Sequence, residues 1–77
     1  MKSSELINGE IYTDITDKKV PLLFTGTIEK NVNHGWNTYG DYVTFKVVIN
    51  EGNKNYNLPT HITKFFEEEN GNTTIIK

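Results

Sequence analysis

The chain has 77 residues and a net charge of −2, from eight lysines and ten carboxylates, with no arginine and no cysteine. That length suits one small domain over 1–77 with a modest core. The composition excludes disulfides, thiolate zinc sites and cysteine nucleophiles, and an acidic balance without arginine argues against a nucleic-acid binder, whose affinity rests on phosphate contacts.

Residues 3–7 suit one helical turn capped by Ser3 or Ser4. After the turn Asn8-Gly9, Glu10–Thr13 reads as a short strand, and Asp14 to Lys19 as a polar connection. From Val20 to Lys30 the pattern has period two: Leu22, Phe24 and Ile28 share one face, and Leu23, Thr25, Thr27 and Glu29 the other. Gly26 takes the core-side slot between Phe24 and Ile28, which predicts a bulge or sharp bend. A long polar loop, Asn31 to Asp41, follows; Gly40-Asp41 also suits a tight turn of its own.

Alternation is clearest over Tyr42–Asn50, with Val43, Phe45, Val47 and Ile49 on one face. Glu51-Gly52-Asn53 turns the chain into a strand over Lys54–Leu58, which Pro59 stops. Thr60 then caps a short helix over His61–Glu69, whose stripe is Ile62, Phe65 and Phe66 at i, i+3, i+4. Asn70-Gly71 ends it, and Thr73–Ile76 reads as a closing edge strand. The expected core is Ile11, Leu22, Phe24, Ile28, Val43, Phe45, Val47, Ile49, Leu58, Ile62, Phe65 and Ile75. Leu23, Val48 and Phe66 fall on outer positions, where a partner or a second copy would cover them if they cluster.

The element order, with the junction Leu58-Pro59-Thr60-His61-Ile62, resembles the SH3-like small barrel. The resemblance implies an all-β, five-stranded barrel with one short helix before the last strand. An OB-like barrel is the alternative, with its helix between strands three and four. The SH3-like resemblance also implies a groove for proline-rich peptides lined by Tyr12, Trp36 and Pro59. Thr60-His61-Ile62 stands where that groove would carry its tyrosine.

The inventory for catalysis is thin. The only serines, Ser3 and Ser4, lie at the N-terminus, and His34 and His61 share no metal-ligand spacing with a carboxylate. The expectation is a non-enzyme without cofactor. Asp14 and Asp17 in the first loop, and the run Glu67-Glu68-Glu69, are either solvating charge or an acidic patch for a basic partner. His34–Tyr42 holds the only Trp and two of the four Tyr in a polar, glycine-containing loop. Trp and Tyr dominate interface hot spots, though a loop Trp also folds back to cover the end of a small barrel.

These features lead to a non-enzymatic protein-binding module. Trp36, Tyr39 and Tyr42 are its expected anchors, and Asp14, Asp17 and Asp41 its acidic complement. The alternative is a single-stranded nucleic-acid binder stacking bases on Tyr42 and Tyr56 beside Lys46 and Lys54. Asn and Thr occur ten times each and Ile eight, with no Ala or Gln, a usage that suits an AT-rich genome. In size and composition the chain is similar to small phage-encoded proteins that bind and inhibit a bacterial host protein, defence proteins included. Its longest apolar run, Val20–Phe24, falls far short of the roughly 20 residues that span a bilayer. No membrane association and a cytoplasmic location are expected, with another protein, or a second copy of the chain, as partner.

Overall fold

The two stretches of strongest alternation form the centre of one antiparallel sheet. The computed structural model describes residues 1–16 and 20–77. Its strands are β1 Ile11–Asp14, β2 Val20–Asn33, β3 Tyr39–Val47, β4 His61–Glu67 and β5 Ile75–Ile76, in the order β4-β3-β2-β1-β5. The protein is all-β with five strands, but the sheet does not close into a barrel. Among the described residues the only helical element is a 3-10 turn, Ser3–Glu5. Its cap is not a serine: the Lys2 amide donates to the Glu5 carboxylate at 2.7 Å, and the Ser3 hydroxyl turns to Asp41.

The expected helix over His61–Glu69 is instead strand β4, paired with β3 through Phe45↔Ile62, Val43↔Lys64 and Asp41↔Phe66. Alternation therefore puts Ile62, Lys64 and Phe66 on the core face and Phe65 on the outer one. The expected strand Lys54–Leu58 is a coiled connection shaped by asparagine side chains. Asn53 accepts the Asn50 amide at 2.8 Å and donates to Val48 O at 3.0 Å, and Asn50 accepts the Gly52 amide at 2.9 Å. Such side-chain bonds offer the backbone an alternative to a sheet ladder.

The core is Tyr12, Val20, Leu22, Phe24, Val43, Phe45, Val47, Phe66 and Ile75, with Ile28, Leu58 and Ile62 packed against it. Ile11 and Ile49, both expected inside, are half-exposed, while Phe66, expected outside, is buried. The outer apolar cluster of Leu23, Val48 and Phe66 therefore does not form. The buried Tyr12 hydroxyl accepts the Ile7 amide at 2.8 Å, so its polar tip is not left bare.

Two irregularities shape β2. The ladder shifts register between Phe24 and Ile28, where Gly26 holds φ +91°, as its sequence position suggests. It shifts again between Glu29 and Val32, where Asn31 has φ 56° and its amide donates to the Asp41 carboxylate at 3.3 Å.

Two devices draw β4 toward the β1–β5 side of the sheet. A flat sheet would place β4 about 14 Å from β1, three strand spacings away, yet Lys64 Nζ lies 2.7 Å from Asp14 Oδ2. The sheet is therefore curled over its core. Asn72 holds the other junction: its side-chain amide donates to Phe65 O at 3.0 Å, and its Oδ1 accepts the Thr74 amide and hydroxyl, each at 2.7 Å. No helix among the described residues is long and apolar enough to cross a membrane.

Candidate functional site

Beyond the core, β2 and β3 continue as a hairpin whose loop is His34–Thr38. The His34 amide donates to Thr38 O, and the Thr38 amide to Gly35 O, each at 2.7 Å. The two central residues of that inner turn, Trp36 and Asn37, both have positive φ, 39° and 57°. This is the hand of a type I′ turn, whose twist suits a two-stranded ribbon. The turn is thus Gly35–Thr38, not Gly40-Asp41. Asn suits such a turn, but Trp does not, because a bulky side chain in the left-handed region is strained. Trp36 is 99% exposed and covers no part of its own chain.

The hairpin stands on a ring cluster. His34 stacks on Phe65 with centroids 4.3 Å apart and planes at 17°, and Tyr42 lies 5.4 Å from Phe65 at 60°. His34 Nδ1 and the Tyr42 hydroxyl share a hydrogen bond. Tyr42 and Phe65 face each other across β3 and β4, so both sit on the outer face of the sheet. Tyr42, expected as a contact residue, is half-buried in this cluster and supports the hairpin from below. The nucleobase-stacking face expected around Tyr42 is occupied by His34 and Phe65 in the same way.

Beside the hairpin runs the turn that leaves β4. Gly40 pairs with Glu67, the Glu68 amide donates to Tyr39 O at 2.9 Å, and Glu67 and Gly71 exchange two backbone bonds. These bonds set Glu67, Glu68 and Glu69 against Asn37, Thr38 and Tyr39 around a shallow cleft of about 340 Å³. Tyr39 remains 46% exposed at its edge. The Asn70 side-chain amide donates to Glu67 Oε1 at 3.0 Å. Glu68 and Glu69 are exposed and, among the described residues, take part in no ion pair.

The expected acidic residues do not join this surface. Asp14 is buried, held by Thr16 and Lys64, so it presents no charge to a partner. Burial pushes its carboxyl pKa upward, but the Lys64 ammonium and the Thr16 hydroxyl and amide outweigh that and hold it below its ordinary 3.8. Asp17 lies outside the described residues. Asp41 is half-buried and occupied by the Ser3 hydroxyl and the Asn31 amide. The structure brings Tyr39 together with the glutamate run, and Trp36 stands at the tip of the same hairpin. His34 and Phe65 complete the platform, although the sequence pattern placed Phe65 in the core. His61 stands elsewhere on β4, beside the Thr60 hydroxyl at 3.2 Å.

Compared with known proteins, the chain matches no family model, no curated protein and no solved structure.

Proposed function

We propose that this protein is a non-enzymatic protein-binding module whose contact point is Trp36 at the tip of the β2–β3 hairpin. The observation that carries the reading is that Trp36 is 99% exposed while held at φ 39°. A large aromatic in that position gains no packing in its own chain and strains its backbone. Such an outlier points to use outside the fold. The platform beneath it supports the same reading: His34, Tyr42 and Phe65 fix the base of the hairpin, so little ordering entropy is lost when Trp36 docks.

Small size and AT-rich usage favour a phage or mobile-element protein that binds and inhibits a bacterial host protein. The five strands support the SH3-like relationship. A hydrogen-bonded turn over 68–70 stands before the last strand, where that resemblance would put its helix.

A photo-crosslinking amino acid at Asn37, in host extract, tests the docking reading. One dominant cross-linked protein is expected, and it should vanish when Trp36→Ala is added with the circular dichroism spectrum unchanged. Capture of the same protein by the folded Trp36→Ala variant would refute the reading.

A further inference from the structure

We infer that β4 is an open edge to which the β4 of a second copy adds in antiparallel register, His61 of one copy facing Thr63 of the other. The inference goes beyond the docking reading above and does not depend on it.

The ladder fixes which backbone groups of β4 are already bonded. The Val47 amide donates to Thr60 O at one end and the Glu68 amide to Tyr39 O at the other, each at 2.9 Å. Both bonds extend the continuous β3–β4 register. Bonded and unbonded pairs alternate along an antiparallel ladder. Ile62, Lys64 and Phe66 therefore bond to β3, while His61, Thr63, Phe65 and Glu67 turn their amides and carbonyls away from it. Glu67 exchanges both groups with Gly71, and the Phe65 carbonyl accepts the Asn72 side-chain amide at 3.0 Å. Among the described residues nothing bonds the backbone amides or carbonyls of His61 and Thr63 on that side, and both residues are exposed.

The other edges are blunted, and this one is not. Where β1 no longer covers β2, the β2 ladder is broken by two register shifts, and Asn31 sits at φ 56°. β5 has two residues, and Asn72 Oδ1 takes the Ile75 amide at 3.2 Å. β4 runs from His61 to Glu67 without proline, bulge or positive φ. An inward-pointing lysine can guard an edge, but Lys64 is drawn across the core face to Asp14. An open, regular edge of this kind takes an extended strand.

Within this chain, β4 is its own best complement. Antiparallel pairing of a segment with itself has a twofold axis, so every bond is made twice. With the axis at Ile62, each His61–Thr63 pair exchanges both its backbone bonds. Moving the axis to Thr63 would need the Phe65 carbonyl, which Asn72 holds. Moving it to His61 would need an amide from Pro59, which has none. In the remaining register Lys64 lies opposite Thr60, and Ile62 opposite Ile62, so no like charges meet. The half-buried Ile62 gains an apolar neighbour. The contact is small against what a stable dimer needs, so this dimer is weak and exchanges quickly.

The test is sedimentation equilibrium of the full chain from about 0.01 mM to about 1 mM in about 0.15 M salt, with amide hydrogen exchange at both ends of that range. The weight-average mass is expected to rise from that of one chain toward that of two. The amides of His61 and Thr63 should gain several-fold protection with concentration, while those of Ile62 and Lys64, bonded to β3, stay protected throughout. Thr63→Pro and His61→Pro each remove an outward amide, a loss an edge strand tolerates, and each should stay monomeric with its amide dispersion retained. Trp36→Ala should dimerise as the wild type does. A chain that is monomeric at the upper concentration overturns the inference and leaves the edge to a strand of another protein. A dimer whose His61 and Thr63 amides exchange freely also overturns it, whether or not the proline variants fold. A dimer lost in Trp36→Ala but kept in folded Thr63→Pro overturns it in favour of the hairpin.

Discussion

The Lys64 ammonium lies 2.7 Å from the Asp14 carboxylate, joining β4 to β1 across β3 and β2. Asp14 is 1% exposed, and its Oδ1 is bonded by the Thr16 hydroxyl at 2.6 Å and the Thr16 amide at 3.0 Å. Among the described residues its Oδ2 meets no donor with hydrogen-bond geometry, so the approach of Lys64 is an ion contact rather than an aligned bond. Taking the lysine away leaves a buried carboxylate uncompensated. Lys64→Met is expected to cost about 3–5 kcal/mol, a large share of the stability of a domain this size. Adding Asp14→Asn should restore most of that, because Asn keeps an acceptor for Thr16 and removes the charge. Urea unfolding of the wild type, the single variant and the double variant decides it. A loss below about 1 kcal/mol in Lys64→Met would mean that the strap carries no weight.

The same pair sets a pH dependence. The folded Asp14 pKa lies below its ordinary value because Lys64 and Thr16 outweigh burial. The unfolded chain therefore binds the proton more readily, and stability rises with pH through this window. The contribution is complete above the unfolded value and is lost as pH falls through the folded one. Thermal melts from about pH 6 to about pH 2 should show the wild type losing stability on acidification below about pH 5. Asp14→Asn should start less stable and fall less steeply there. Parallel curves would place the acid sensitivity on other carboxylates.

This ion pair also explains what the sequence pattern hid. β2 and the core of β3 were legible because Leu22, Phe24, Val43, Phe45 and Val47 alternate with outer residues and all face inward. In β4 the inward residues are Ile62, Lys64 and Phe66, and a lysine in the middle of a core face breaks the period-two signal. What remains visible is Ile62, Phe65 and Phe66, which fits a helix equally well. In β1 the buried Asp14 did the same: Ile11 read as the inward residue, whereas Tyr12 and Asp14 face the core. A shift of one residue in parity exchanges the two faces of a strand. At the site, Trp36 stood out by composition alone. The nearness of Glu67–Glu69 to Tyr39 depends on the β3–β4 register, which no local pattern encodes.

Gly40 is where β3 and β4 come too close for a side chain. A Cβ there would fall 2.2 Å from Phe66 O and 2.9 Å from the Glu67 Cα. Backbone cannot yield that distance without moving the strand, so Gly40→Ala is expected to cost about 1–3 kcal/mol. The displacement would fall at the pairing that seats the glutamate turn beside Tyr39. Amide shifts at 67–69 should move in Gly40→Ala while those around the buried Val47 stay near wild type. A fully neutral Gly40→Ala would contradict the register at this point.

Trp36 offers the sharpest separation of stability from function. Its indole is exposed, so replacing it removes no packing, and Asn tolerates the left-handed conformation that Trp resists. Trp36→Asn is therefore expected to stabilise the fold, by about 1 kcal/mol, while abolishing the cross-linked partner. Most exposed substitutions change stability by no more than about 0.5 kcal/mol, so a gain of this size would be legible in urea midpoints. As a companion measurement, acrylamide should quench the emission of the single tryptophan nearly as readily as it quenches free indole. If Trp36→Asn destabilises the protein and the native emission is protected, the indole is packed in solution, against its own chain or a second copy. The hairpin would then be part of the architecture, and the contact surface would have to be sought elsewhere on the sheet.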